Sequence, residues 1–428
     1  MAYIHRTPAG AGSSTVFTLS YWVKRAKLGA IQTLYSAGTA NKGKFVFNAE
    51  DQLEVSDDGS DVVKTTRLFR DVGAWYHIVL AYDTGASGTD KVKIYVNGVQ
   101  ETAYATDNRS TAGSLNYVNA AEPQNIGADT SNPFYGEMSH VQMVDGAQLA
   151  PTEFGEVDAT SGIWKIKTSC YATPGTNGFC LKMEDRTNLD LDSSSNAFTW
   201  TTSGTLTPTY DNPSNNFATL NPLTVDDGGA KTYSNGNTTV AETANSWTSA
   251  HSSLAVAAGK WYFESKFVLT SSTEGYFGCA SVPEINAKSS STFYLGSGAS
   301  MGYYTTDGNV DKGSVSSSYG NVVTTGQIMG LALDITNELA YFSINGVWQN
   351  SADPVAGSGG VSFPSGMTDG EYICLSASPN QSYWECNFGN GYFGTTAVAS
   401  TNADDAGIGS FEYDVPTGYY ALCTKNIK

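Results

Sequence analysis

Three observations predict an all-β fold, built from two tandem sandwiches that an irregular connector joins. Short runs in which apolar and polar residues alternate recur along most of the chain, as half-buried strands require. The same strand-turn-strand pattern, centred on Asn-Gly, occurs once in each half of the sequence. Charged residues make up only 15% of a composition rich in Gly, Ser, Thr and Asn, which favours tight turns over long helices.

The first Asn-Gly pattern lies in KVKIYVNGVQ. Val92, Ile94 and Val96 fall on one face of a strand, and the residues between them fall on the other. Asn97 and Gly98 then supply the two positive-φ residues that a type I′ turn requires. This stretch is therefore predicted to be a β-hairpin.

The second Asn-Gly pattern lies in ELAYFSINGVWQ, with Asn345 and Gly346 at the turn. An alternating strand that ends in Asp precedes each copy, WYHIVLAYD at Trp75 to Asp83 and IMGLALD at Ile328 to Asp334. The same order of elements thus occurs twice: strand, Asp, short loop, strand, Asn-Gly and strand. We interpret the repeated unit as the central hairpin of two similar sandwiches.

The chain is strongly acidic, with 41 acidic and 23 basic residues and a net charge of −18. Such a chain repels polyphosphate and anionic lipid, so neither nucleic acid nor membrane insertion is expected. The charge is also explained simply by solubility, which needs no partner.

Neither a secretion signal nor a membrane span is expected from the sequence. The N-terminus, MAYIHRTPAGAGSS, lacks an apolar stretch, and no run of about 18 apolar residues occurs. The six cysteines are scattered through a large chain, whose core does not need covalent links. Reduced, buried thiols formed in a cytoplasm are therefore expected, although Cys170 and Cys180 flank a turn and could pair across a hairpin.

Four segments are predicted from where the alternating runs begin and stop. Residues 1–155 contain runs such as VFTLSYWVK and MSHVQMVDG, separated by turns at the spacing of a sandwich. Residues 156–222 have no sustained period and are expected to be a connector that is ordered by packing on its neighbours. Residues 223–396 form the second sandwich, and residues 397–428 are expected to add a strand, from the alternation in FEYDV, that caps it.

Two family resemblances make the prediction more specific. The motifs FTLSYWVKR, GAWYHIVLAYD and KVKIYVNGV, between about Tyr3 and Gly155, resemble the laminin-G-like branch of the concanavalin-A-like jelly rolls. The motifs GKWYFE, EGYFGCA, GLALDITNELAYFSINGVW and ECNFGNGYF in the second sandwich resemble a SPRY domain, a two-sheet jelly roll of related topology. Together they imply two tandem concanavalin-A-like jelly-roll sandwiches.

The order of motifs resembles that of virion proteins of tailed bacteriophages. NGFCLKMED, NPSNNFATLNPL, the SPRY-like unit and FEYDVPTGYYALCTKNI follow one another, as in proteins described as tail-fibre-like or minor structural proteins. The resemblance implies a virion protein, assembled in the host cytoplasm, that contacts other virion proteins and forms a homo-oligomer, for which we expect a trimer. No coiled coil or collagen-like repeat precedes the domains, so a compact knob or short fibre is expected.

No catalytic residue and no cofactor are assigned. EVDATS approaches a glycosidase motif with Glu156 and Asp158, but Ser161 stands where the second Glu, the general acid, is needed. Neither HExxH nor GxSxG occurs. His77 and His140 lie within strand patterns, where a structural role is expected. The chain is therefore predicted not to be an enzyme.

A calcium site is considered at VSDDGSD, since laminin-G-like domains often bind this ion at the sandwich rim. Asp57, Asp58 and Asp61 would supply the hard oxygen ligands that calcium prefers. DDG is also an ordinary hairpin turn, and that interpretation is favoured. No metal site is therefore predicted, and these three aspartates are the calcium candidates that stay open.

Ligand binding by loops at the sandwich rims is the favoured use of the fold. Aromatic faces stack on sugar rings while amides and carboxylates bond the hydroxyls. Packing is the competing explanation for each ring, because aromatic residues at alternating positions also fill cores and cross-strand pairs. The candidate ligand-binding residues are Phe134 and Tyr135 in the first sandwich and Phe293, Tyr294, Tyr304, Asp307, Asn309, Trp348, Asn350 and Asp353 in the second.

Three functions follow from these expectations. The leading hypothesis is a non-enzymatic, tail-fibre-like adhesin that binds a glycan or protein on the host surface. The alternative is a head-decoration or head-fibre structural protein attached to the capsid through one sandwich. A polysaccharide-degrading enzyme is the third class, and the incomplete carboxylate motif disfavours it.

Overall fold

The computed structural model describes residues 1–39, 42–224, 231–242, 247–270, 274–287 and 294–427. The chain divides into two compact units, Met1–Pro208 and Thr209–Lys428. Each unit has two main sheets of almost entirely antiparallel strands with a hydrophobic core between them. The predicted all-β fold of two tandem sandwiches is confirmed. Within the described residues, no helix has the length and apolar character needed to cross a membrane.

The N-terminal unit has an eight-stranded and a six-stranded sheet, whose facing residues form its core. The strands are β1 (Tyr3–Arg6), β2 (Val16–Arg25), β3 (Gln32–Ala37), β4 (Gly43–Phe47), β5 (Leu53–Asp57), β6 (Ser60–Thr65), β7 (Trp75–Asp83), β8 (Val92–Val96), β9 (Val99–Gln100), β10 (Tyr104–Asp107), β11 (Gln124–Ile126), β12 (Gly136–Asp145), β13 (Gly155–Val157), β14 (Trp164–Ile166), β15 (Phe179–Leu181) and β16 (Thr201–Ser203). The sheet orders are β10-β6-β5-β4-β3-β11-β1-β16 and β15-β12-β2-β7-β8-β9, with β13 and β14 forming a separate hairpin.

The C-terminal unit repeats this two-sheet plan around a second core. Its strands are β17 (Thr232–Ser234), β18 (Thr239–Glu242), β19 (Ala250–His251), β20 (Lys260–Leu269), β21 (Gly275–Ser281), β22 (Ser300–Tyr304), β23 (Asn309–Lys312), β24 (Val315–Ser318), β25 (Ile328–Asp334), β26 (Leu339–Ile344), β27 (Val347–Trp348), β28 (Val361–Ser362), β29 (Ile373–Pro379), β30 (Ser382–Asn387), β31 (Tyr392–Phe393), β32 (Thr396–Ala397) and β33 (Tyr420–Ala421), with a short helix, α1, at Val282–Ala287. The sheet orders are β17-β18-β30-β20-β25-β26-β27 and β19-β29-β21-β22-β23-β24.

The two Asn-Gly patterns form equivalent hairpins, as predicted. The strands β7-β8-β9 and β25-β26-β27 are consecutive neighbours at the edge of one sheet in each unit. Asn97 and Asn345 have φ values of 48° and 47°. Asn97 Oδ1 accepts the N–H of His77 at 2.8 Å, and Asn345 Oδ1 accepts the N–H of Ile328 at 3.0 Å. The duplication therefore extends from the sequence pattern to individual hydrogen bonds.

An aromatic ring from a later segment covers the glycine of each Asn-Gly turn. A Cβ at Gly98 would lie 2.5 Å from the Trp164 ring, and a Cβ at Gly346 would lie 2.5 Å from the Tyr413 ring. Trp164 belongs to β14, and Tyr413 belongs to the chain after the second sandwich. In each unit, the chain that follows the sandwich thus folds back over the Asn-Gly hairpin of that unit.

The predicted connector is ordered against strands of the unit to which each part belongs. In the N-terminal unit, β15 pairs with β12 and β16 pairs with β1. In the C-terminal unit, Phe217 forms a bridge with Cys423. The unit boundary at Pro208 therefore falls within the segment 156–222 that the sequence suggested as connector.

The expected strand at FEYDV does not form. The backbone N–H groups of Glu412 and Tyr413 donate to the carboxylate of Glu264, at 2.8 and 2.9 Å, instead of to a neighbouring strand. Phe411 makes a single bridge with Asn402. The tail instead joins the sheet through β33, which pairs parallel to β20.

The expectation that all cysteines are reduced is wrong for one pair. Cys170 and Cys180 form a disulfide, the possibility that the sequence left open. The turn between them brings their Cα atoms to 5.9 Å, which is within the span of a disulfide. The four remaining cysteines are free and buried: Cys279, Cys374, Cys386 and Cys423.

Candidate functional site

The outer face of the sheet that contains β21, β22 and β23 carries aromatic and acidic side chains. Tyr276 lies opposite Tyr304 on one side and opposite Ser378 on the other. Gly302 lies opposite Asp311. Residues directly opposite each other, and residues two apart on a strand, point to the same face of a sheet. These side chains therefore share one surface.

Four aromatic rings meet on this surface: Trp247, Tyr276, Tyr294 and Tyr304, named here the ring cluster. Tyr276 stacks on Tyr304 with 4.7 Å between ring centroids and on Tyr294 with 5.5 Å. Trp247 lies tilted against the three tyrosines, with centroid distances of 5.1, 5.4 and 6.1 Å. Such offset and tilted pairs attract one another beyond simple apolar burial. The ring cluster is thus a preformed apolar platform.

The central ring of the cluster packs close to a glycine. A Cβ at Gly302 would lie 2.7 Å from Cβ of Leu295 and 3.1 Å from Cδ1 of Tyr276, so both side chains pack closely on a backbone position that carries no side chain. The Tyr276 hydroxyl donates a hydrogen bond of 2.5 Å to Oδ2 of Asp311. Burial, together with this carboxylate, raises the pKa of Tyr276 above its ordinary value. The hydroxyl therefore remains a donor.

Hydrogen-bond acceptors surround the ring cluster. The Tyr304 hydroxyl donates to Glu274 Oε1 at 3.3 Å, and Asn380 Nδ2 donates to Glu274 Oε2 at 2.7 Å. Among the described residues, Asp311 Oδ1 and Asn380 Oδ1 are buried and have no hydrogen-bond partner. Buried acceptors without partners are uncommon because desolvating a polar atom is costly. Both oxygens are closed to solvent, so a ligand on this surface does not contact them directly.

The ring cluster is accessible from solvent. Tyr294 is 39% exposed and Tyr276 is 5% exposed, while Trp247 and Tyr304 are half-buried. In the part of the chain that the structure describes, no three His, Cys, Asp or Glu side chains group as metal ligands. The arrangement therefore supports stacking and hydrogen-bond acceptance.

Two of the predicted ligand-binding residues, Tyr294 and Tyr304, belong to the ring cluster. Asp307 lies in the turn that follows Tyr304, and Asn309 begins β23. Asp307 accepts hydrogen bonds of 2.9 Å from the backbone and the side-chain amide of Asn309, so these two residues stabilise the turn. Phe293 lies outside the described residues.

Sequence reasoning missed Trp247, Tyr276, Glu274, Asp311 and Asn380 as members of this surface. Tyr276 lies in an alternating strand, where an aromatic residue could face either side. Trp247 lies outside every alternating run. The available signal was the succession of EGYFGCA and MGYY, two strands whose tyrosines become neighbours when the strands pair.

A third group of predicted residues lies in the other sheet of the C-terminal unit and in the turn after it. Trp348 on β27 packs edge-on against Tyr262, with 6.4 Å between ring centroids. The Asn350 side chain donates to a backbone carbonyl at 3.2 Å. Asp353 accepts two backbone N–H groups of the following turn, at 2.9 and 3.0 Å. Packing and turn formation account for these three side chains, which do not contact the ring cluster.

The two predicted residues of the N-terminal unit have different environments. Phe134 packs against the core, with its ring centroid 6.5 Å from that of Phe47. Tyr135 is 43% exposed, and the ammonium group of Lys27 lies 4.6 Å from its ring centroid. Tyr135 is therefore accessible, but it is not part of a multi-ring surface like that of the C-terminal unit.

The three calcium candidates line an open groove of about 440 Å³ but have separate protein partners. Asp58 and Asp61 each pair with a lysine, at 3.0 and 2.7 Å. Asp57 accepts two hydrogen bonds from Asn116, and burial raises the pKa of Asp57. The DDG segment connects β5 to β6, in agreement with the hairpin-turn interpretation.

The other titratable residues singled out in the sequence have structural contacts. Glu156 and Asp158 both face the ammonium group of Lys165, at 3.2 and 3.4 Å. His77 is buried between two tryptophan rings, and burial lowers its pKa to about 3. Burial also lowers the pKa of His140. Both histidines are therefore favoured in the neutral form.

Comparison with known proteins locates a family match in the N-terminal unit. Residues 3–152 match the family model described as the concanavalin A-like lectin/glucanases superfamily. The match supports a concanavalin-A-like jelly-roll fold for this part of the chain, in agreement with the laminin-G-like motifs. No curated protein matches the sequence of the chain.

Solved structures resemble parts of the chain at low identity. A native heptameric SAP-like pentraxin from Limulus polyphemus has 15% identity over 35% of this chain and 72% of its own, with a TM-score of 0.27. The SPRY domain of human HERC1 has 12% identity over 39% of this chain and 96% of its own, with a TM-score of 0.29. The TRIM65 PSpry domain has 12% identity over 40% of this chain and 88% of its own, with a TM-score of 0.30.

Proposed function

We propose that this chain is a non-enzymatic recognition protein that binds a glycan through the ring cluster of its C-terminal unit. The observation that carries the proposal is the ring cluster itself, four packed aromatic rings bordered by the carboxylates of Glu274 and Asp311. The apolar C–H face of a pyranose ring stacks on aromatic faces, and sugar hydroxyls donate to acceptors at the edge of such a platform.

The test of glycan binding is a titration of the full chain with polysaccharide from the surface of the host cell. Tyr294→Ala removes an exposed ring of the cluster and should weaken binding about 10-fold or more, since central aromatic contacts commonly contribute more than about 1 kcal/mol. Tyr372→Ala is the matched control, because Tyr372 is a 61% exposed tyrosine of the same unit outside the cluster. Equal affinities of the two variants would contradict the proposal.

We further propose that the protein is a tail-fibre-like component of a tailed-bacteriophage virion, with the host surface as the source of the glycan. This placement is supported by the succession of motifs that resembles phage virion proteins, from NGFCLKMED to FEYDVPTGYYALCTKNI. Purified protein should then compete with the phage for adsorption to host cells. An absence of competition at saturating concentration would contradict the adhesin role.

The alternative position on the particle is the head, as a decoration or head-fibre protein. Imaging of intact virions labelled through this chain separates the two, because a tail appendage gives label at the tail and decoration gives label over the capsid. Label confined to the capsid would replace the tail-fibre role with the structural one.

A further inference from the structure

We propose that the ring cluster selects glycans that are uncharged or carry amines and rejects glycans that carry carboxylate or sulfate groups. This inference rests on the proposed glycan-binding function and assigns the ligand class of the same site. It follows from the sign of the charges beside the ring cluster.

Three of the donors beside the ring cluster are already engaged. The Tyr276 hydroxyl donates to Asp311, the Tyr304 hydroxyl donates to Glu274, and Asn380 Nδ2 donates to the same glutamate. Trp247 and Tyr294 bring two further donors to the ring cluster, an indole N–H and a phenol hydroxyl. Neutral sugars and amino sugars offer hydroxyl oxygens to these donors and hydroxyl or ammonium hydrogens to the neighbouring carboxylates.

The charge next to the ring cluster is negative. Asp311 and Glu274 bond directly to cluster hydroxyls, and Asp307 lies in the turn after β22. The adjacent Lys312 directs its ammonium group to Ser362, donating to the carbonyl and hydroxyl oxygens at 2.9 and 2.8 Å. An anionic ligand group would face the carboxylates of Asp311 and Glu274, whereas an ammonium group would be attracted by both the carboxylates and the ring faces.

The test is a microarray of neutral, amine-bearing and acidic glycans probed with the full chain. We expect the glycans that bind to be neutral or amine-bearing. The glycan that binds most tightly on the array is then titrated in solution beside its derivative oxidised to the uronate at C6. The Kd of the uronate should be at least about 10-fold higher. Glu274→Gln and Asp311→Asn, which remove one negative charge each, should reduce that ratio, whereas Asp369→Asn, at an exposed acid outside the cluster, should leave it unchanged.

The outcomes separate the ligand class from the glycan-binding function. Preferred binding of acidic glycans that Tyr294→Ala abolishes would overturn the ligand class and leave the function intact. Binding that Tyr294→Ala leaves unchanged, or no binding of any glycan on the array, would overturn both. Circular dichroism and thermal unfolding of each variant confirm that a loss of binding is not a loss of folding, and Tyr294 is exposed enough for its replacement to leave the fold intact.

Discussion

A buried carboxyl group should make the C-terminal unit less stable as the pH rises from 4.5 to about 7. Glu264 on β20 is 0% exposed, and its oxygens accept hydrogen bonds from the backbone of Glu412 and Tyr413 at 2.8 and 2.9 Å and from the Tyr262 hydroxyl at 3.0 Å. Burial raises the pKa of Glu264 from 4.5 to about 7, although these hydrogen bonds act in the opposite direction. The protonated form is therefore favoured in the folded state.

The sign and size of the effect follow from proton linkage. The folded state retains a proton that the unfolded chain loses near pH 4.5, so the stabilising contribution is complete below that pH and is lost as the pH rises to about 7. A pKa displaced from 4.5 to about 7 corresponds to roughly 3 kcal/mol. His251 of the same unit is buried and has its pKa lowered to about 3, so its contribution to the pH dependence of stability has the opposite sign. A comparison of wild type with a variant that keeps His251 cancels this contribution.

The assay compares wild type with Glu264→Gln, which is neutral at every pH. Urea unfolding is measured from below the unfolded pKa of 4.5 to above the folded pKa of about 7, with hydrogen exchange of β20 peptides reporting the C-terminal unit. The difference in unfolding free energy between the two proteins should shift by roughly 3 kcal/mol in favour of the variant as the pH rises. Glu371→Gln controls for the loss of one negative charge elsewhere in this unit. An unchanged difference across the interval would refute the reasoning.

Three further predictions concern the turns, a histidine and the disulfide. Gly346→Ala should lower the unfolding free energy by about 1–3 kcal/mol more than Gly59→Ala. Both glycines have positive φ, but only a Cβ at Gly346 would overlap a ring, that of Tyr413. Equal losses of unfolding free energy in urea would contradict this. The N-terminal unit should lose several kcal/mol of stability as the pH falls from about 6.5 towards 3, because His77 is held neutral by burial, and His77→Gln should flatten this dependence in acid unfolding. Alkylation of the unfolded chain should modify four thiols before reduction and six after it, since Cys170 and Cys180 are paired, and six modified thiols without reductant would rule out the disulfide.

The sequence alone predicts those features of the fold that depend on interactions between neighbouring residues. Asn97-Gly98 and Asn345-Gly346 specify their hairpins because positive φ at both turn positions is a property of those residues alone. The alternating runs on either side fix which residues face the core. The duplicated hairpin is therefore predictable from local sequence, without any long-range contact.

The ring cluster and Glu264 depend on contacts between distant parts of the chain. Tyr276 becomes part of a surface only because β21 pairs with β22 in a register that places it opposite Tyr304. Glu264 meets the backbone of Tyr413, 149 residues away. Local periodicity carries no information about such pairings, so the sequence could identify Tyr294 and Tyr304 as accessible candidates without identifying the surface that joins them.

The central claim, that a glycan binds on the ring cluster, is tested most directly by hydroxyl-radical footprinting with mass spectrometry. The full chain is oxidised with and without a saturating host-surface glycan, and modification is compared at Tyr294 and at the exposed Tyr372. We predict that bound glycan protects Tyr294 several-fold and leaves Tyr372 unchanged. Equal modification of Tyr294 in the free and the glycan-bound chain would contradict the claim.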